Sequence, residues 1–134
     1  MNKGVAMFST VKAFVDAYSK RSLDECMACF ASSPNVMAYG TNADEKRLGV
    51  AAIRDQLALD WGQMSSAGMD VTWHHEVQHG DVGWVAADIQ IQFFGPQGAD
   101  QASTRATFVL VRDDKKQWLI EHMHFSGPAE LAVD

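Results

Sequence analysis

Trp118-Leu-Ile-Glu-His-Met-His-Phe-Ser-Gly-Pro128 reads as a β-strand that is cut off by a Ser-Gly-Pro exit. Its period of two puts Leu119, Glu121, Met123 and Phe125 on one face and Trp118, Ile120, His122 and His124 on the other. Working back from it, alternating segments over roughly 102 to 113, 82 to 94 and 69 to 79 predict three more long strands. A tight turn near Asp114-Lys115, the Gly95-Pro-Gln-Gly98 loop and Gly80-Asp81 join them, and connections this short imply an antiparallel meander.

The chain ahead of the meander is helical. Met7, Val11, Phe14, Val15 and Tyr18 recur at helical spacing over roughly residues 5 to 20. Ser22-Leu-Asp-Glu25 is a capping box that opens a short second helix to about Ala31. Pro34 and Asn35 break it, Val36 to Tyr39 reads as a short strand, and Gly40 to Lys46 as a polar loop. Val50, Ile53, Leu57 and Trp61 mark a third helix in a region that Gly68 ends. Helices first and strands afterwards predict an α+β domain, and 134 residues with 47% hydrophobic content suit a single domain, 1–134, with one core.

A net charge of −6 argues against nucleic acid or an anionic membrane as partner. The first residues carry no apolar segment ahead of a small-residue cleavage site, so a cytoplasmic protein with reduced thiols is expected. Cys26 and Cys29 share a helix face with apolar neighbours and read as core rather than as a redox pair. His75 and His79 share one strand face, at i and i+4, and His122 and His124 share another, at i and i+2, but a closed metal site needs three or four convergent groups, so no metal or cofactor is expected. No phosphate-cradling glycine motif or hydrolase nucleophile motif is present.

Which sheet face meets the helices decides the site. If Asp114-Lys115 is a two-residue turn, Thr107 lies opposite His122, Arg105 opposite His124, Ala106 opposite Met123 and Phe108 opposite Glu121. One face then gathers Ile89, Ile91, Phe93, Ala106, Phe108, Leu110, Leu119, Met123 and Phe125. Burying each large apolar side chain is worth about 1.5–3 kcal/mol, whereas burying Asp88, Arg105, His122 and His124 costs desolvation, so the apolar face is turned inward. Glu121 then stands among apolar side chains, and desolvation would fit it for general acid or base work, with His122 as its neighbour. Trp84, Trp118, Gln90, Gln92, Arg105, His122 and His124 face outward as an interface. The reverse orientation would instead line the pocket with Asp88, Arg105, Thr107, His122 and His124, and a bulge in either hairpin would shift the register.

The closing strand with its two alternate histidines and Ser-Gly-Pro exit resembles that of the nuclear transport factor two-like superfamily, in its SnoaL-like and calcium/calmodulin-dependent kinase II association-domain branch. The resemblance implies a cone-shaped half-barrel, three N-terminal helices packed on a curved, mostly antiparallel sheet around a pocket, and a homodimer formed through the sheet. Ketosteroid isomerases of that superfamily use a first-helix tyrosine and two sheet acids; those positions fall on Phe14, Ala38 and Ala106 or Thr107, so their chemistry is not expected here. Polyketide cyclases of the SnoaL type carry acidic and histidine groups near a run similar to Ile120-Glu121-His122, which keeps isomerase, cyclase or dehydratase activity through Glu121 or His122 as an alternative. The kinase association domain is similar from Leu48-Gly49 to Trp61, but its pocket cations fall on Ile89 or Gln90, around Thr107 to Phe108, and on Phe125. A pocket lined by Phe14, Tyr18, Tyr39, Ile53, Trp61, Ile89, Phe108, Met123 and Phe125 is expected to take a small apolar or aromatic molecule.

Overall fold

In the computed structural model, which describes residues 6–41, 44–63, 66–96 and 98–128, the first helix is α1, Met7–Lys20. Met7, Val11, Phe14, Val15 and Tyr18 are all buried, so the helical spacing marks the stripe that meets the sheet. Arg21 ends α1 in the left-handed region at φ 58°, where its amide donates to Tyr18 and the Ser22 amide to Ala17. Ser22 Oγ then accepts from the Glu25 amide at 3.4 Å and caps α2, Leu23–Met27.

This second helix stops short of the Ala31 expected from sequence because the backbone finds a better partner. The Ile120 amide donates to Cys29 at 2.8 Å and the Ala31 amide to Ile120 at 2.9 Å, so Phe30 is stitched to the last strand. Cys26 and Cys29 are both free and buried, and burial pushes the Cys26 thiol up to about 12 and that of Cys29 to about 11. They pack as small apolar side chains.

β1 (Met37–Tyr39) and β2 (Lys46–Leu48) form a hairpin, so Lys46, the last residue of the expected polar loop, pairs with Tyr39, and Arg47 beyond it pairs with Ala38. After α3 (Val50–Gln63) come the four long strands β3 (Ser66–His79), β4 (Val82–Gly95), β5 (Gly98–Arg112) and β6 (Trp118–Ser126). Gly68 lies inside β3 and does not end the helical region. The sheet order is β2-β1-β6-β5-β4-β3, with β1 parallel to β6 and every other pair antiparallel. Among the described residues, three helices on one six-stranded curved sheet make an α+β cone.

The β5–β6 register differs from the one built on a two-residue turn. Asp113 Oδ1 accepts from the Lys115 and Gln117 amides, and Lys116 takes φ 64°, so the connection runs from Asp113 to Gln117. Arg112 pairs with Trp118 and Leu110 with Ile120, after which the ladder slips by one residue. Thr107 therefore faces His124, Arg105 faces Ser126, Ala106 faces Phe125, and Phe108 faces Met123 rather than Glu121. Glu121 is the extra residue of this bulge. A bulge reverses side-chain parity, so Trp118 and Ile120 point inward before it and Met123 and Phe125 after it. Trp118, expected outside, is 4% exposed, while Leu119, expected inside, is half-buried.

The remaining strands place their faces as the burial argument requires. Val85, Ala87, Ile89, Ala106, Phe108 and Leu110 are buried, and Trp84, Asp88, Arg105, Thr107 and His124 are exposed on the other side. Phe14 is the hub, with ring centroids 5.7 Å from Phe30 and 6.4 Å from Phe108, which in turn meets Phe125 at 5.7 Å. Gly83 lets the start of α1 sit on β4, since a Cβ there would overlap the Met7 sulfur and the Val77 carbonyl.

Phe108→Ala should lower stability by about 3–5 kcal/mol in urea unfolding, and Thr107→Ala next to it by no more than about 0.5 kcal/mol. Equal costs at the two positions would contradict the assignment of faces.

Candidate functional site

The cone holds an open-mouthed cavity of about 580 Å³ between α1, α3, the β1–β2 hairpin and the inner face of β4–β6. This lies within the range of roughly 300–1,000 Å³ usual for small-molecule sites. Phe14 and Tyr18 reach it from α1, Ile53 and Leu57 from α3, Ile91 and Phe93 from β4, and Met123 and Phe125 from β6. Its floor is apolar because these are the inward positions of elements whose other faces meet water.

A polar cluster stands on one wall. Gln56 and Asp60 are four residues apart on α3 and so share a helix face, one row over from Ile53 and Leu57. Gln56 Nε2 donates to Asp60 Oδ1 at 2.7 Å and to Glu45 Oε2 at 3.2 Å, while its Oε1 accepts from Arg47 Nη2. Arg47 Nη1 also donates to the Asp44 carbonyl at 2.8 Å and to the Lys46 carbonyl at 3.2 Å. Asp44, Glu45, Arg47, Gln56 and Asp60 all border the cavity. Gly40 makes room for the Glu45 carboxylate, which a Cβ at position 40 would strike.

The electrostatics of the cluster follow from its burial. Desolvation raises the Asp60 pKa above the ordinary carboxyl range; the Gln56 hydrogen bond and the Arg47 charge oppose this, and the Glu45 charge adds to it. Tyr18 is pushed well above the usual phenol range, chiefly by burial and next by the Asp60 charge, so it stays a neutral phenol. Behind it Trp61 packs its ring 5.6 Å from that of Tyr18, and the buried Trp61 Nε1 has no hydrogen-bond partner among the described residues.

Of the side chains expected to bind a ligand, Phe14, Tyr18, Tyr39, Ile53, Met123 and Phe125 border the cavity. Ile89 and Phe108 are buried in the core beneath it, and Trp61 packs against that core behind Tyr18. Glu121 is half-buried at the bulge and His122 Nδ1 lies 3.1 Å from the Met37 carbonyl oxygen; neither is on the cavity wall. Asp88, Arg105, Thr107 and His124 are exposed on the outer face, with Asp88 opposite Arg105 and Thr107 opposite His124. The histidine pairs do not converge, since β3 and β6 are separated by two strands, about 14 Å.

The sequence reading missed Glu45, Arg47, Gln56 and Asp60. The i, i+4 pair Gln56 and Asp60 beside Ile53 and Leu57 was a usable signal. Glu45 and Arg47 were not legible, because only the β1–β2 hairpin folds them over α3.

A family model described as a SnoaL-like domain matches residues 8–130. Several solved structures share the fold. A candidate dehydratase of the NTF2-like family from Streptomyces avermitilis superposes with a TM-score of 0.82 at 16% identity, covering 92% of this chain and 94% of the other. A candidate aromatic ring hydroxylase from Novosphingobium aromaticivorans gives 0.81 at 19% identity, covering 95% and 90%. A candidate calcium/calmodulin-dependent protein kinase type II association domain from Thiobacillus denitrificans gives 0.80 at 23% identity, covering 96% and 100%. No protein of curated function matches.

The folded state holds the Asp60 proton more tightly than the unfolded chain does, so this group favours folding at acid pH and loses that advantage as pH rises through its two pKa values. Asp60→Asn should therefore raise the urea midpoint at neutral pH and leave it nearly unchanged below the unfolded Asp pKa of about 3.9. A variant less stable than the parent at neutral pH would contradict the direction of the shift.

Proposed function

We propose that this chain, which belongs to the SnoaL-like domain family, holds a small, largely apolar or aromatic molecule inside its cone. The observation that carries the reading is the cavity of about 580 Å³ with an apolar floor and polar groups gathered on one wall. Burial of a flat ligand on Phe14, Phe93 and Phe125 supplies affinity by area, and the few polar groups on the α3 wall orient it. Solved neighbours named for dehydratase and aromatic ring hydroxylase activities lend support, since both chemistries act on small organic molecules.

Ketosteroid-type isomerisation has no support from the site. Phe14 and Ala38 border the cavity where that chemistry would need a hydroxyl and a carboxylate. A proton-transfer role for Glu121 or His122 likewise has no support, because neither reaches the cavity.

The reading includes a homodimer formed through the outer face of the sheet. Trp73 and Trp84 are 54% and 37% exposed there, and His75 packs near both rings, with centroids at 6.3 and 5.9 Å. A cluster of half-open aromatic rings of this kind is the composition of an interface core.

Ala102 faces the cavity from β5 and is only half-buried, so Ala102→Trp can fill the mouth without crowding the core. The variant should lose the fluorescence gain of the neutral probe N-phenyl-1-naphthylamine that the parent shows, at unchanged circular dichroism. Undiminished probe binding would refute the cavity reading. In sedimentation, replacing Trp73 and Trp84 together by Glu should convert a dimer into a monomer of the 14.7 kDa chain. A parent that already sediments as a monomer, or a variant that stays dimeric, would refute pairing through this face.

A further inference from the structure

We infer that the ligand of the cavity is an amine cation on a flat apolar body, recognised by the Asp60 carboxylate together with Glu45; this rests on the small-molecule reading of the cavity above.

The sign of the wall comes first. Among the described residues that border the cavity, Asp44, Glu45 and Asp60 are acidic and Arg47 alone is basic. Arg47 is already committed to the Asp44 and Lys46 carbonyls and to Gln56, so its fork is not presented to a carboxylate ligand. An anionic ligand would therefore meet like charge, with both Nη atoms of the one bordering guanidinium already engaged.

The arrangement of the cluster comes second. Both amide hydrogens of Gln56 are used, one on each carboxylate, which holds Asp60 and Glu45 on either side of a single side chain at the cavity wall. Gln56 occupies one acceptor position on Asp60, and a carboxylate offers about four. An ammonium group carries three donors and the opposite charge, and its arrival beside Asp60 would offset the desolvation that burial imposes on that carboxylate. The groups that face Asp60 are Gln56 from its own helix, Glu45 and Arg47 from the β1–β2 hairpin, and Tyr18 from α1, with the Arg21 charge acting on Tyr18.

The aromatic lining is the third observation. Phe14, Tyr18, Tyr39, Phe93 and Phe125 surround the same space, and aromatic faces attract cations while they bury a flat apolar body. A neutral ligand would gain the area but add no positive charge beside Asp60, on which Arg47 acts against both burial and the Glu45 charge.

The test compares three probes of one shape, 2-(1-naphthyl)ethylamine, 2-(1-naphthyl)ethanol and 3-(1-naphthyl)propanoate, by calorimetry on the full chain at neutral pH. The amine should bind about tenfold tighter than the alcohol, and the propanoate more weakly than the alcohol. Asp60→Asn should weaken amine binding about tenfold more than it weakens alcohol binding, and Glu45→Gln provides the same comparison if the first variant misfolds. Amine affinity should also climb as pH rises through the Asp60 titration, while the alcohol shows no such climb. Equal binding of amine and alcohol, or a preference for the propanoate, overturns the amine inference and leaves the cavity reading standing. Failure of all three probes and of N-phenyl-1-naphthylamine overturns both.

Discussion

The slip of one residue in the β5–β6 ladder is the constraint on which the interior depends. Before it, Trp118 and Ile120 seal the narrow end of the cone, against α1 and Phe30; after it, Met123 and Phe125 line the cavity at the wide end. A strand of strict period two could not supply both pairs, because Ile120 and Met123 would face opposite ways. The bulge reconciles them, and it gives the extra position to Glu121, a residue that gains nothing from the core. The same segment pairs β1 in parallel, Ala38 with Met123, so the site's β1 wall inherits its placement from this slip.

Closing the narrow end divides the molecule into two regimes. Phe14, Phe30, Phe108 and Phe125 form a connected set of edge-to-face contacts that fills the centre. Past Phe125 the inward positions of β5 are the small Ala102 and Thr104, which border the cavity together with Gln56 and Asp60 of α3. Small residues on β5 and polar residues on α3 together create the cavity. Thr104, buried there, donates its hydroxyl hydrogen to the Ile89 carbonyl at 2.7 Å and so keeps the polar atom satisfied.

The polar wall is built by tertiary contacts between segments that are weak on their own. The β1–β2 hairpin has three residues per strand, and it is held through Arg47 and Glu45 onto Gln56. Gln56 fits this task better than an ionisable residue because its amide both donates and accepts, linking two acids and a cation without adding charge. That arrangement sets the electrostatic character of the site, since it concentrates acidic groups on one wall of an otherwise aromatic cavity.

By itself the sequence determined the α+β class, the four long strands and the inward face of β4, β5 and the second half of β6. Periodicity and burial are properties of each segment, and the gain from hiding Ile89, Phe108 and Phe125 exceeds any local preference. It also marked six of the cavity side chains, Phe14, Tyr18, Tyr39, Ile53, Met123 and Phe125, because apolar inward positions beside the helices are what such a cavity is made from. Only the tertiary structure decided the register of β6, the fate of Glu121 and the composition of the polar wall. A bulge costs one residue of pairing and is set by which neighbours it lets the strand bury, so nothing within Trp118 to Ser126 announces it. Glu45, Arg47, Gln56 and Asp60 come from a hairpin and a helix, and the free energy that joins them exists only once both are packed against the sheet.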